Sequence, residues 1–326
     1  MLVDDEDAEA HFAGVGADLV RNFEIWIREI IGVSDVQYRS HLNEQDMVSK
    51  DTVVVATYPW IINRIHDPLH GGGRYLLGVI RHARKLGAPI WCPIIDVFSV
   101  RYSFYASCLA GFTGGANILI QNSVEQAKLF GLVNPSGPHF WLFPPSVQKT
   151  WAPSPLSSKR QRIVLIAQSG DERRVAYYSR AFRRFEDYGY KAVATSHQMS
   201  WPEYVSTVKS STISCATCWL QPLFLKGPPR FRERLADGHI TARVWEAFAS
   251  GNLLVTESIS ALEILGFFPG QHFVSAPSEF DNWQSWEPPN DEVILQIAQN
   301  GHEKFLSLLK EEWARHRIRR KIETAP

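Results

Sequence analysis

Apolar runs alternate with amphipathic stretches along most of the chain. In ADLVRNFEIWIREII and YLLGVIRHARKLG the apolar residues recur at spacings of three and four, which predicts helices. Short continuous apolar runs, such as DTVVVATYP, APIWCPIID and NILIQNS, predict buried strands. Strands separated by helices are typical of α/β domains with a parallel sheet.

The alternation resumes after a break near the middle of the chain. Proline and glycine cluster in NPSGPHFWLFPPS, and residues 152–161 (APSPLSSKRQ) have the composition of a linker. Helices are then predicted over 171–187 and 200–210, and strands in RIVLIAQSG, KAVATSH, TISCATCW, NLLVTE and HFVSA. We therefore expect two parallel-sheet domains and a last helix that crosses back to the first, over residues 1–150, 151–310 and 311–326.

Composition excludes some classes of function. The 326 residues contain 34 basic and 34 acidic side chains, so no overall field favours a nucleic-acid partner. No apolar run reaches the length of about 18 residues that a membrane span needs, and MLVDDEDAEA is too acidic for a signal peptide. We expect a cytoplasmic protein. Cys215 and Cys218 form a C-x-x-C, but no second ligand pair follows, which favours buried strand cysteines over a zinc or redox site.

Two groups of polar residues lie where an α/β sheet binds ligands, at the carboxyl ends of its strands. The strand in RIVLIAQSG ends at Ser169 and Gly170, and Arg173 and Arg174 open the helix that follows. A helix N-terminus with nearby guanidinium groups suits a phosphate or pyrophosphate. The alternative interpretation of these two arginines is a solvated helix face.

The second group is Arg243 and Glu246 in HITARVWEAFASGNLLVTE, one turn apart at the start of a predicted helix. Residues at this spacing point the same way. A carboxylate accepts hydrogen bonds from hydroxyl groups, and a guanidinium binds phosphate in a bidentate manner. The alternative is that the two charges pair with each other or with neighbours.

The motifs RVWEAFASGNLLVTE, ISALEIL, FFPGQHFV and IAQNGHEKFL occur in the order seen in one enzyme family. Residues 160–310, roughly, resemble the donor-binding domain of GT-B glycosyltransferases, and most closely the group 1 and CgeB-like transferases. The first half resembles them only in architecture. The resemblance implies an α/β GT-B fold, in which two Rossmann-like parallel-sheet domains face a cleft. The first domain would bind the acceptor and the second the nucleotide-sugar donor.

The resemblance also implies roles for particular residues. Glu246 matches the glutamate that hydrogen-bonds the donor ribose, and Arg243 lies where it could meet donor phosphate or sugar. Many GT-B families have another glutamate eight positions earlier, where this chain has Gly238 between Asp237 and His239. Either neighbour could substitute for that acid. The expected donor site consists of Ser169, Gly170, Arg173, Arg174, Thr241, Arg243 and Glu246.

An inverting transfer needs a general base, which such enzymes usually place in the first domain. The candidates are His11, His66, His70 and Asp96, of which His11 precedes a glycine-containing turn and Asp96 ends a predicted strand. Basic groups and the helix dipole would ease departure of the nucleoside diphosphate. We therefore expect no metal and no cofactor, with the nucleotide sugar as a substrate.

These expectations describe a metal-independent glycosyltransferase that acts on a glycan or on a lipid-linked or other glycoconjugate acceptor, as in polysaccharide biosynthesis. Two alternatives stay open, a sugar-nucleotide epimerase of the same fold and a non-catalytic GT-B-like binding protein. The segment LLKEEWARHRIRRKIE predicts a basic amphipathic helix. One interpretation packs it on the first domain, and the other places Trp313 and its arginine neighbours on anionic lipid at the inner face of the membrane.

Overall fold

The computed structural model describes the second half of the chain more fully than the first. The described residues are 2–3, 37–38, 54–55, 82, 85–86, 90–94, 117–120, 139–140, 151, 162–167, 172–195, 199–216, 240, 242–257, 262–263, 265–277 and 280–323. The chain divides into two compact units, Met1–Pro144 with Gln221–Gly238 and Pro145–Leu220 with His239–Pro326. Residues 221–238 thus belong to the first unit, whereas the sequence assigns them to the domain over 151–310. The predicted domain bounds and the roles expected for the two domains stay predictions.

The first unit contains a parallel sheet of six strands in the order β2-β1-β3-β4-β5-β6. The strands are β1 (Leu2–Val3), β2 (Gln37–Tyr38), β3 (Val54–Val55), β4 (Ile90–Ile94), β5 (Asn117–Ile120) and β6 (His139–Phe140). Strands β2 and β6 were not predicted, because neither lies in an apolar run that the sequence pattern marks as a strand. Strand β6 even lies inside the proline-rich stretch that predicts a connection. The three described residues of the helix predicted in YLLGVIRHARKLG are helical, as expected: His82, Lys85 and Leu86.

The second unit contains a parallel sheet of five strands in the order β11-β10-β9-β7-β8. The strands are β7 (Ile163–Ala167), β8 (Lys191–Thr195), β9 (Ile213–Cys215), β10 (Leu253–Thr256) and β11 (Val274–Ser275), all in predicted positions. The helices are α1 (Glu172–Asp187), α2 (Trp201–Ser210), α3 (Ala242–Ala249) and α4 (Asp291–Glu323), with a 3-10 turn over Phe280–Gln284. The chain thus has the α/β fold that the alternation predicts.

Two of these helices end at a glycine for the same reason. Helix α3 ends with Gly251 at φ 63°, where Gly251 N donates to Phe248 O and Asn252 N to Ala247 O. Helix α1 ends in the same way at Gly189, with φ 78°. These bonds satisfy carbonyl groups that the helix leaves open, and only glycine adopts the required left-handed backbone without strain. The turn at Gly251 leads directly into β10, which is buried along its whole length.

Aromatic side chains join α3 to α4 and to the segment around Phe267. Phe248 of α3 stacks on Phe267 at 4.5 Å between ring centroids, and Trp245 lies 6.1 Å from both Phe267 and Phe305 of α4. Gly301 allows the close approach of α4, because a Cβ atom there would lie 2.6 Å from His272 O and 2.9 Å from the Phe248 ring. The FFPGQHFV and IAQNGHEKFL motifs therefore contribute to the core of the second unit.

Helix α4 is longer than the sequence pattern suggests. It runs without interruption for 33 residues, so residues 311–323 of the segment predicted as a separate helix over 311–326 are its last part. The predicted return of this segment to the first domain stays a prediction. Among the residues described, no helix combines the length and the apolar character that crossing a membrane requires.

Candidate functional site

The topology of the second sheet defines where a ligand would bind. The first strand of this unit, β7, lies between β8 and β9. From β7 the chain adds β8 on one side and then crosses to add β9, β10 and β11 on the other, so the strand order reverses between β7 and β9. Ligands of open α/β sheets bind at the carboxyl edge beside such a switch point. The segment that follows β7 contains Ser169 and Gly170 and leads into α1. The topology of the sheet and the sequence pattern therefore indicate a ligand site at the same edge, the carboxyl ends of the strands.

Three helices present their first turns at this edge, because helices that connect parallel strands run back along the sheet. Helix α1 begins at Glu172, α2 carries Tyr204 in its first turn, and α3 carries Arg243 and Glu246 in its first two turns. The positive ends of the three helix dipoles lie there as well, which favours an anion.

Tyr204, Arg243 and Glu246 form a hydrogen-bonded cluster that joins α2 to α3. The Tyr204 hydroxyl accepts a hydrogen bond from Arg243 Nη1 and donates one to Glu246 Oε2. Arg243 Nη1 also lies 3.9 Å from Glu246 Oε2, and the guanidinium carbon lies 4.6 Å from the centroid of the Tyr204 ring. The alternative in which the two charges pair with each other is thus realised, but through a tyrosine that supplies the hydrogen bonds.

Burial makes this cluster electrostatically unusual. Burial raises the pKa of Glu246 above its ordinary 4.5, and the opposing effects of Arg243 and the Tyr204 hydrogen bond do not fully cancel it. Burial and the Glu246 charge raise the pKa of Tyr204 well above 10.0. Burial alone would lower the pKa of Arg243, but the charges of Tyr204 and Glu246 raise it overall. The cluster therefore holds a cationic guanidinium beside a carboxyl group with an unusually high proton affinity.

The cluster keeps capacity to bind a further group. The Arg243 side chain is 26% exposed and that of Glu246 is 8% exposed. Within the described part of the chain, hydrogen bonds engage Arg243 only through Nη1 and the Glu246 carboxylate only through Oε2. Oxygen Oε1 can accept a hydrogen bond from a ligand hydroxyl, and the remaining guanidinium N–H groups can donate to an anion.

The other predicted site residues are described in part or not at all. Arg173 and Arg174 lie in the first turn of α1, as predicted, but their side chains are outside the described part. The remaining predicted residues lie outside the described residues, and their roles stay predictions: His11, His66, His70, Asp96, Ser169, Gly170, Asp237, His239 and Thr241.

Tyr204 is the site residue that the sequence did not reveal. It stands in WPEYVSTVKS, where the helical period identifies it only as one of several apolar positions. Its partners lie 39 and 42 residues further along the chain. No local spacing rule connects positions so far apart.

Cys215 has the structural role that the sequence favours. It is buried in β9 with a free thiol, and burial, with a smaller contribution from Glu257, raises its pKa. In the described segments, no group of three or more histidine, cysteine or acidic side chains is arranged to hold a metal ion.

No protein-family model matches the sequence, and comparison with curated protein sequences gives no significant match. Solved structures do match. The DNA-modifying enzyme β-glucosyltransferase, solved with and without uridine diphosphoglucose, aligns over 98% of both chains with a TM-score of 0.50 and 12% identity. Sucrose-phosphate synthase from Thermosynechococcus elongatus aligns over 84% of this chain and 74% of its own, with a TM-score of 0.48 and 10% identity.

A third similar structure is HepE from Anabaena in complex with UDP and glucose, with a TM-score of 0.47, 10% identity and coverage of 77% and 76% of the two chains. At these identities the likeness concerns the fold. The match to β-glucosyltransferase over almost the whole length shows that this chain has the GT-B fold. The finer resemblance to CgeB-like proteins stays a prediction.

Proposed function

We propose that this GT-B protein is a glycosyltransferase that moves a sugar from a nucleoside diphosphate sugar to a glycan or glycoconjugate acceptor. The observation that carries the proposal is the cluster of Tyr204, Arg243 and Glu246 at the carboxyl edge of the second sheet. The cluster combines a carboxylate oxygen that accepts no hydrogen bond from the described residues, which suits ribose hydroxyls, with a partly exposed guanidinium, which suits a diphosphate. The fold supports the proposal, because β-glucosyltransferase with the same fold was solved with a UDP-sugar.

In the proposed mechanism, the second unit binds the donor and stabilises the leaving group. Glu246 would accept hydrogen bonds from the ribose. Arg243 and the first turn of α1, which contains Arg173 and Arg174, would balance the charge that develops on the diphosphate as the glycosidic bond breaks. With these cationic groups in place, the proposed transfer needs no metal ion. A base in the first unit, with His11 and Asp96 as candidates, would take the proton of the acceptor hydroxyl in an inverting reaction.

A panel of UDP-, GDP-, CMP- and dTDP-sugars tests this proposal. We expect one donor to raise the melting temperature and to release its nucleotide slowly even without an acceptor. Glu246→Gln should weaken this donor's binding. The matched control, Glu186→Gln, removes an exposed carboxylate near the far end of α1 and should leave binding unchanged.

The products of the same panel separate the alternatives. Recovery of the donor as its epimer would instead support an epimerase. Stabilisation by a donor with no turnover on added glycan or lipid-linked acceptors would support a non-catalytic binding protein. No thermal shift with any donor would overturn the proposal.

We further propose peripheral contact of the last part of α4 with anionic lipid. The support is its sequence, in which Trp313 stands beside several arginines at the end of a helix that continues to Glu323. We expect the protein to float with vesicles that contain anionic lipid, and not with vesicles of zwitterionic lipid alone. Replacement of Arg315, Arg317, Arg319 and Arg320 by glutamine should abolish flotation. Flotation that is equal for both lipid compositions would contradict the proposal.

A further inference from the structure

One hydroxyl group connects the two charged residues of the site to another helix. Tyr204 of α2 accepts from Arg243 Nη1 and donates its single O–H proton to Glu246 Oε2. Both partners lie on α3. The orientation of the Glu246 carboxylate therefore depends on where α2 places this hydroxyl.

The Tyr204 ring is held on several sides. It is almost completely buried, and Trp151 packs against it edge-on with 6.0 Å between ring centroids. The Arg243 guanidinium lies over its face at 4.6 Å. A tyrosine side chain has two main torsions, whereas a glutamate has three and loses more freedom when it is ordered. The rigid ring can thus fix the more flexible carboxylate.

The hydrogen bond occupies Oε2 and leaves Oε1 without a hydrogen-bond partner among the described residues. A carboxylate held by one oxygen presents the other in a defined direction. Such an arrangement reduces the ordering cost when a ligand hydroxyl binds, because the acceptor is already in place.

We infer that Tyr204 is a positioning residue, which orients Glu246 so that its free oxygen accepts a hydrogen bond from the ribose of a bound nucleotide. This inference rests on the proposed function, because it assumes a nucleotide at this edge of the sheet. The competing explanation is that Tyr204 only satisfies a buried carboxylate and a partly buried guanidinium. Both explanations predict that loss of the hydroxyl lowers stability, but only the first predicts altered ribose recognition.

The probes are the ribonucleoside and 2′-deoxyribonucleoside diphosphates of uracil, guanine, cytosine and adenine, which differ within each pair by one hydroxyl. Calorimetric titration gives the ratio of the two affinities for each pair. The variants are Tyr204→Phe, Glu246→Gln and the double variant. The control is Tyr177→Phe, which removes a buried tyrosine hydroxyl that donates to Pro277 O at 2.7 Å on another part of the unit. Circular dichroism confirms that each variant is folded.

We expect the wild type to prefer one ribonucleotide over its deoxy form. Tyr204→Phe should reduce that preference about two- to tenfold, the range for loss of one hydrogen bond. Glu246→Gln should reduce it as well, and the double variant should reduce it no further than Glu246→Gln alone, because Tyr204 acts through Glu246. Tyr177→Phe should keep the wild-type preference.

A second variant covers the case in which Tyr204→Phe does not fold. Trp151→Phe keeps the Tyr204 hydroxyl but loosens the packing that holds its ring. If Tyr204 positions Glu246, Trp151→Phe should reduce the preference for the ribonucleotide by about twofold, less than Tyr204→Phe does. A purely structural pairing predicts no change, because both hydrogen bonds remain, and an unchanged preference would overturn the inference.

The outcomes distinguish this inference from the proposed function. If no diphosphate binds to the wild type, both fall. If the wild type binds a diphosphate but does not distinguish its deoxy form, the ribose role and the positioning role fall, while donor binding stands. If Glu246→Gln loses the preference and Tyr204→Phe keeps it, or if their effects add in the double variant, only the positioning role is overturned.

Discussion

Glu246 illustrates how a single residue can be costly to bury and useful at the same time. Its carboxylate is almost fully buried, and its pKa is raised because burial outweighs Arg243 on its own helix and Tyr204 on α2. Between the unfolded pKa near 4.5 and the higher folded pKa, the folded protein binds more protons than the unfolded chain. The contribution of Glu246 to stability therefore decreases as the pH rises through this window, and its full penalty persists above it.

Glu246→Gln removes this titration and tests the sign. The free energy of unfolding of the variant minus that of the wild type should increase as the pH rises above about 4.5, and should level off above the folded pKa. Urea denaturation of both proteins over a series of pH values measures this difference, in which the contributions of other groups cancel. A difference that decreases with pH would show that the folded pKa is lowered instead.

The proposed role of Arg243 leads to a separate prediction, because the phosphates that it would bind are present only in the phosphorylated ligand. Arg243→Ala should weaken binding of a nucleoside diphosphate by about ten- to a hundredfold, as for loss of a charged hydrogen bond worth about 1.5–3 kcal/mol. Binding of the parent nucleoside should change little. Calorimetric titration with the two ligands checks this, and Arg183→Ala, at an exposed position on α1, is the control. Equal losses for both ligands would place Arg243 away from the phosphates.

At the scale of elements, the contact between α3 and α4 supports the helix that carries Arg243 and Glu246. His302 Nδ1 lies 2.8 Å from Phe248 O, and the neighbouring Gly301 leaves no space for a side chain. Gly301→Ala should lower the free energy of unfolding by about 1–3 kcal/mol, because its Cβ would meet backbone and an aromatic ring. Ser307→Ala, at an exposed position of α4, is the matched control, and urea denaturation gives both values. Equal stability of the two variants would mean that α4 shifts without cost.

At the scale of the whole molecule, we expect a bound nucleotide to slow hydrogen exchange in the second unit and not in the first. In hydrogen–deuterium exchange, the diphosphate that binds best should protect peptides around residues 169–174, Tyr204 and 241–247. The strands of the first unit should exchange as they do without ligand. The same measurement on Arg243→Ala at equal ligand concentration should show less protection. Protection confined to residues 1–144 would place the nucleotide in the first unit and overturn the donor-site assignment.

The pattern of apolar and polar residues was sufficient to predict the class of fold and most elements of the second unit. Apolar runs and helical periods mark these segments, so β7 to β11 and the first three helices lie where the pattern predicts them. The glycine at 251 is likewise a local requirement, because the turn that ends α3 needs a left-handed residue. The strands β2 and β6 could not be predicted in this way, because each is a strand only through its pairing with a neighbouring strand.

The assembly of the site, in contrast, follows only from the packing of distant segments. The sequence placed Arg243 and Glu246 on one helix face, but not the hydroxyl of Tyr204 between them. That contact depends on the strand order, which sets the first turns of α2 and α3 side by side at one edge of the sheet. The need for glycine at 301 likewise comes from the backbone and ring of other segments. Local patterns report what a segment forms, whereas contacts between distant segments exist only once the sheet has brought them together.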